Sequence, residues 1–263
     1  MFAEYLERWE LTPDGEPILT RSSRLLPVRS GDAPAMLKIA LLDEERTGGR
    51  LMQWWSGCGA ARVIAHDENA ILMERAVNGV SLCDIARKWD DDASRIICAV
   101  LAKLHTPRGQ APAALVALTE WFEPLRTAAE ARGGLFGIAA SAASDLLSSQ
   151  QGIVVLHGDM HHGNVLNFGP RGWLAIDPKG LVGERYFDYA NIFCNPDAEM
   201  ATTAGRLPRQ VRVVAQSARL ECHRLLAWIV AWAGLSAAFL LDDGLPPNGA
   251  LQMVELAAAE LNR

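Results

Sequence analysis

The stretch LHGDMHHGNVLNFGPRGWLAIDP, residues 156–178, constrains this chain more than any other. An apolar run from Ile153 to Leu156 feeds a glycine-punctuated loop, and two strand-like runs then flank Gly169, Pro170, Arg171 and Gly172. Turn residues at that density between apolar runs predict a strand, a loop and an antiparallel hairpin. A four-residue turn pairs Phe168 with Trp173 and sets Asn164 opposite Asp177. Directly opposed residues share a face with Cβ atoms roughly 4.5–5.5 Å apart. A carboxylate and an amide oxygen so placed can share one hard divalent cation. Asp159 precedes Asn164 by five positions, on the loop.

At 263 residues, half of them hydrophobic, the chain can build one large core or two modest ones. Its net charge of −6 argues against nucleic acid as a partner, because affinity for phosphate backbones comes mostly from clustered Lys and Arg. The acidic balance is compatible with a cationic small molecule. Five cysteines with no CxxC pair read as reduced thiols of a cytoplasmic protein. The N-terminus carries acidic and basic residues where a signal peptide needs an apolar core. Leu225 to Leu241 is uncharged but short for a span and interrupted by Gly234 and Ser236, so a buried helix is expected there and no membrane partner. The expected unit is a monomer.

The first quarter has the rhythm of a small antiparallel sheet. Short runs near Glu10 to Leu11, Pro17 to Thr20, Leu25 to Val28 and Ala35 to Ile39 are separated by Asp14-Gly15, Ser22-Ser23 and Gly31-Asp32. Lys38 alternates to the face opposite Leu37 and Ile39, which for an ordinary strand lysine is the solvent face. Residues 43–55 predict a helix that begins with Glu44 and Glu45, although Gly48 and Gly49 weaken it by about 1 kcal/mol each relative to Ala. Strands are expected over Ala60 to Ala65 and Ala70 to Met73. Helical periodicity then takes over, as in Ile96, Ile97, Val100, Leu101 and Leu104. Helices are expected over about 115–131, 138–148, 187–194, 208–241 with a break, and 250–261. The change of character divides the chain into a β-rich unit, 1–76, with one helix, and a mainly helical unit, 77–263.

Three chemistries compete for the central loop. Zinc could recruit His157, His161 and His162, but Gly158 and Gly163 argue for a loop rather than the one-face helical spacing such ligands want. A structural loop would use the histidines to cap backbone groups. Phosphoryl transfer needs metal ions against the phosphoryl charge, a carboxylate to align the attacking hydroxyl and a cation on the donor phosphates. Asp159, the pair Asn164 and Asp177, and Lys38 offer those parts, with Glu44 placed to orient the lysine.

HxD followed by Asn at this spacing, then a metal-binding Asp after a hairpin, resembles the catalytic segment of protein-kinase-like enzymes. The HGD variant with IDP resembles the aminoglycoside phosphotransferases. The run from Leu156 to Pro196, with PAMLKIA, LMERA and WIVAWAGLSAA, is similar to the streptomycin 6-phosphotransferase branch, the aminoglycoside and hydroxyurea resistance kinases. The resemblance implies an α+β, two-lobed protein-kinase-like fold, with a small antiparallel β N-lobe and a mainly helical C-lobe. It implies Asp159 as catalytic base and Asn164 and Asp177 as magnesium ligands. Lys38 would contact the α and β phosphates of ATP and pair with Glu44, or alternatively Glu45. Met73, Glu74 and Ala76 would belong to the adenine hinge, and Ser22 and Ser23 to the phosphate-covering loop.

The chain departs from protein kinases in having no GxGxxG before Lys38, no arginine in HGD and no APE segment, so activation-loop regulation is not expected. A substrate such as streptomycin, with two guanidinium groups, calls for acidic groups around the acceptor. Glu184, Asp188 and Asp197 are candidates, with Asp188 favoured as a brace of the catalytic loop over a substrate contact. His161 and His162 are candidate pocket residues. The expected activity is transfer of the ATP γ-phosphoryl group to the 6-hydroxyl of streptomycin. The rival activities are a kinase of hydroxyurea, another aminocyclitol, or a choline- or homoserine-like metabolite, and a silent nucleotide-binding protein.

Overall fold

The computed structural model describes residues 1–76 and 79–263. Val77 and Asn78, where the change from β-rich to helical chain was expected, lie outside the described residues. Six antiparallel strands form the N-lobe sheet, in the spatial order Leu11–Pro13, Ser23–Ser30, Ala33–Ala40, Ala70–Glu74, Val63–His66, with Ile18–Leu19 also paired to Ser23–Ser30. The central hairpin turns at Gly31-Asp32, and the left-handed φ of +58° at Gly31 suits a residue without a Cβ. Alternation along it buries Leu26, Val28, Ala35, Leu37 and Ile39 on one face, under Tyr5 of the N-terminal helix Phe2–Arg8. Lys38 points to the other face. That face is not solvent: it is covered by the helix Asp43–Trp55 and the second lobe, which leaves Lys38 only 9% exposed.

The second core joins both lobes. Leu51, Met52 and Trp55 pack into the same buried cluster as Leu156, Met160, Val165 and Leu174. The C-lobe is built on the helices Asp90–Leu104, Gly134–Ser148, Arg206–Ala218, Cys222–Asp242 and Asn248–Leu261. The strand Ile153–Leu156 pairs antiparallel with Leu181–Glu184 and so delivers the chain into the loop at His157. The apolar helix Cys222–Asp242 is a core element. Its Leu225, Trp228, Ile229, Ala231 and Ala233 are fully buried, and a Cβ at Gly234 would overlap Ala139 of the neighbouring helix.

Several elements differ from the sequence expectation for local reasons. The helix expected over 115–131 begins as the short strand Val116–Ala117 and breaks at Phe122, one residue before Glu123-Pro124. The 208–241 helix divides at residues 219–221, where Glu221 caps the new helix by accepting from His223 and Arg224 N–H groups. The strand expected at Ala60 to Ala65 is confined to Val63–His66. Helices Phe2–Arg8 and Leu82–Lys88 were not anticipated; both are too short for a clear period.

Candidate active site

The loop after Leu156 is fixed from behind by one buried carboxylate. Asp188 accepts from the N–H of His157 at 2.9 Å and of Gly158 at 2.8 Å, and its Oδ2 lies 2.8 Å from His105 Nε2. Gly158 adopts φ +86°, and a Cβ there would come 2.9 Å from Lys179 and Leu181 side chains, so the turn before Asp159 requires glycine. His157 is fully buried, stacked on Trp55, with Nε2 2.8 Å from the Ile176 carbonyl. Burial pushes its pKa down against the pull of Asp188 and Asp159, so the ring is neutral. Asp159 itself stands partly open. Asn191 Nδ2 donates to its Oδ1 at 3.0 Å, and His161 Nε2 lies 3.9 Å from Oδ2.

The hairpin register is one residue away from the expected one. Trp173 pairs with Asn167, not Phe168, because residues 169–171 form a three-residue 3-10 turn that Phe168 and Gly172 close. Asn164 therefore faces Ile176, whose N–H donates to the Asn164 carbonyl at 2.9 Å. Asp177 lies one step beyond, at φ +64°. The left-handed backbone turns it out of the ladder, and Lys38 bonds its carboxylate. Burial alone would raise the Asp177 pKa, but the bonded Lys38 ammonium together with Lys179 and His157 outweighs it and holds the carboxyl below its ordinary value.

Lys38 also pairs with Glu45, which corrects the expected partner. Glu44, on the adjacent helical position, points toward the other lobe and pairs with Lys179 at 2.6 Å. Ser22 donates to Glu45 Oε1 at 2.6 Å, so Ser22, Glu45, Lys38 and Asp177 form one continuous polar chain. Ser23 is buried, its hydroxyl 3.0 Å from that of Thr20. A cavity of about 470 Å³ opens beside Asp159. Trp121, Trp232 and Phe239 give it apolar walls, and Glu44, Asp242 and Asp243 give it acidic ones.

Residues 8–244 match the family model described as aminoglycoside/hydroxyurea antibiotic resistance kinase. The chain belongs to this family. It is similar to a streptomycin 3''-kinase of Klebsiella pneumoniae, 52% identical over 91% of this chain and 92% of the relative. A streptomycin 6-kinase of Streptomyces griseus is 30% identical over 99% of this chain and 87% of that protein. Among solved structures, aminoglycoside phosphotransferase APH(4)-Ia in complex with ADP and hygromycin B superposes with a TM-score of 0.65 at 13% identity, over 100% of this chain and 98% of that one. The fold is that of the protein-kinase-like small-molecule kinases.

Within this kinase fold the expected acidic substrate contacts fall elsewhere. Glu184 is fully buried and occupied by Arg224 at 2.6 Å, Trp228 Nε1 at 3.0 Å and the Gln151 N–H at 2.9 Å, so it supports the core and cannot reach a ligand. Asp188 is spent on the loop's main chain. Asp197 caps the helix Ala198–Ala201 through the Met200 N–H and pairs with Arg87, away from the cavity wall. His162 is 1% exposed and bonded at neither ring nitrogen among the described residues, so it is a core residue; His161 alone of the two reaches Asp159. Of the segment expected to form the hinge, Met73 lies in the ladder opposite Met36, Glu74 accepts from the Arg62 N–H at 2.5 Å and pairs with Arg171, and Ala76 follows the strand Ala70–Glu74.

The groups that sequence reasoning missed are Asn191 and the cavity wall. Asn191 follows Asp188 by three residues, one helical turn on, which is a readable signal. Asp242 and Asp243 were hidden because they sit at the end of a run read only for its apolar character. The donor set suits magnesium: Asn164 turns its Nδ2 to the Asp159 carbonyl at 2.9 Å, which leaves its amide oxygen as the outward group, and Asp177 adds a carboxylate. Two hard oxygens completed by phosphate oxygens and water are what magnesium takes in nucleotide sites.

Proposed function

We propose that the protein transfers the γ-phosphoryl group of ATP to a hydroxyl of streptomycin, with the 3''-hydroxyl as the site. The observation that carries this reading is Asp159, bonded by Asn191 on a loop that Asp188 braces, at the mouth of a cavity with acidic and aromatic walls. The choice of the 3''-hydroxyl over the 6-hydroxyl rests on the higher identity to the 3''-kinase, 52% against 30% for the 6-kinase.

The acceptor hydroxyl approaches Asp159 Oδ2, the oxygen that Asn191 leaves open. As the new bond forms between acceptor oxygen and γ-phosphorus, the bond to the β–γ bridging oxygen breaks, ADP departs and the hydroxyl proton passes to Asp159. Lys38, paired with Glu45 and Asp177, would hold the donor phosphates. Magnesium carried in with ATP would neutralise phosphate charge, held by Asn164 and Asp177. Asp242 and Asp243, the latter shared with Arg21, complement a guanidinium-bearing acceptor, and Trp121, Trp232 and Phe239 exclude water around it.

The purified protein, incubated with magnesium, ATP and streptomycin, is expected to yield a phosphorylated product whose phosphorus-to-proton NMR correlation identifies the 3''-position. Asp159→Asn is expected to lower turnover by about 10³ while ATP still binds. A product at the 6-hydroxyl would overturn the regiochemistry, and no streptomycin product at all would overturn the substrate.

A further inference from the structure

Lys179 is a cation at the reaction centre that the steps above do not use. Its side chain is only 24% exposed, and its ammonium lies 2.6 Å from Glu44 Oε1. Its backbone is fixed against the catalytic loop: the Lys179 N–H donates to the His157 carbonyl at 2.7 Å, and its Cβ packs on Gly158 so closely that a Cβ there would stand 2.9 Å away. Lys179 is thus anchored against the residue that precedes Asp159, and it shares the cavity wall with Asp159 and Ser22. Lys38 does not line that cavity; it reaches Asp177 from the sheet side.

The two lysines are matched by two successive glutamates. Glu45 holds Lys38 within the N-lobe, and Glu44, the residue before it, holds Lys179 of the C-lobe. A γ-phosphoryl group in transfer carries its charge on three equatorial oxygens, between donor and acceptor. Lys38 and the metal ligands serve the donor side of that group. The reacting acceptor hydroxyl is neutral, and a fixed cation on its side lowers the energy of the transferring group without moving at the moment of reaction.

We propose that Lys179 is a second phosphate-contacting lysine, which binds the γ-phosphoryl group of the donor from the acceptor side while Glu44 keeps its ammonium within reach. The inference rests on the reading of the protein as an ATP-dependent phosphotransferase, not on the identity of the acceptor. Lys179 keeps its proton throughout; the acceptor's proton goes to Asp159.

The test is a comparison of Lys179→Met, Lys179→Arg and the double swap Glu44→Lys with Lys179→Glu. Calorimetry without acceptor measures the preference for magnesium-ATP over magnesium-ADP. Lys179→Met is expected to lose about tenfold of that preference with ADP affinity unchanged, and Lys179→Arg to keep most of it. With acceptor, kcat falls about 100-fold in Lys179→Met while KM for the acceptor stays within about threefold. If Lys179→Met fails to fold, Lys179→Gln replaces it. Unchanged ATP preference in the folded variant, or full recovery of both readouts in the double swap, would overturn the proposal and leave the pair as a strut between lobes. A wild-type protein that prefers ATP but leaves streptomycin unmodified would sink the acceptor assignment alone, and the ATP preference of Lys179→Met would still decide the role of Lys179.

Discussion

Gly48 of the helix Asp43–Trp55 lies directly against the main-chain carbonyl of Pro178, the residue that follows Asp177. A methyl group at position 48 would overlap that oxygen, and a backbone carbonyl cannot rotate away as a flexible side chain can. Helix propensity and packing therefore make opposite predictions. Gly48→Ala should stabilise an isolated helix by about 1 kcal/mol. In this protein the overlap wins: we expect a loss of about 1–3 kcal/mol in denaturant unfolding. We also expect a fall of at least about tenfold in kcat, because the carbonyl that must move is bonded to the residue after Asp177. A variant as stable and active as the wild type would refute the close approach.

Asp188 bonds two main-chain N–H groups of the loop that carries Asp159, in a fully buried position. Asp188→Ala strands both donors and should cost about 3 kcal/mol or more of stability, since each buried unsatisfied group costs roughly 1–3 kcal/mol. Thermal unfolding measures the loss directly. A substrate-binding Asp188 would behave otherwise, raising KM for the aminoglycoside with the unfolding midpoint unchanged.

The adjacent glutamates separate by which nucleotide they affect. Glu45 neutralises Lys38 and accepts from Ser22, so Glu45→Gln should weaken ADP binding about tenfold by loosening the lysine at the α and β phosphates. Glu44→Gln should change ADP affinity less than about threefold, because its carboxylate holds Lys179, on the γ-phosphoryl side. Equal effects of the two substitutions on ADP affinity would contradict the assignment of each to its own lysine.

How far these relationships were legible in the sequence varied with the physics behind them. Asp159, Asn164 and Asp177 stand out because loop glycines and hairpin turn residues are local signals. The register was misjudged by one residue because Gly169, Pro170 and Arg171 close as a 3-10 turn, and composition does not distinguish a three-residue from a four-residue connection. Strand alternation put Lys38 on the right face but could not say what covers that face. Glu44 and Glu45 are separated by one helical step of about 100°, so only the way the helix lies across the cleft decides which lysine each meets. The cavity wall was out of reach for a different reason: Glu44, Trp121 and Asp242 are brought together by tertiary packing across some two hundred residues of chain. Glu184 shows the converse error, where nearness in sequence to the motif was mistaken for nearness to the ligand.

His162 gives the fold a pH dependence on the acid side. It is buried with neither ring nitrogen bonded among the described residues, and burial, helped by the nearby Arg206 guanidinium and opposed by Asp90, lowers its pKa from 6.5 to about 4. The unfolded chain takes up this proton near pH 6.5 and the folded chain only near pH 4. Between those values the unfolded state binds more protons, so stability falls as the pH is lowered through the window and is level on either side of it. The full difference corresponds to about 3 kcal/mol. His157, also lowered by burial, acts in the same direction, so a residual slope remains without His162. His162→Leu, which removes the unbonded nitrogens at similar volume, should be at least as stable as the wild type near neutrality. Urea midpoints measured from pH 7 to pH 4 should then fall less steeply for His162→Leu than for the wild type, and parallel profiles would show that His162 is protonated in the folded protein.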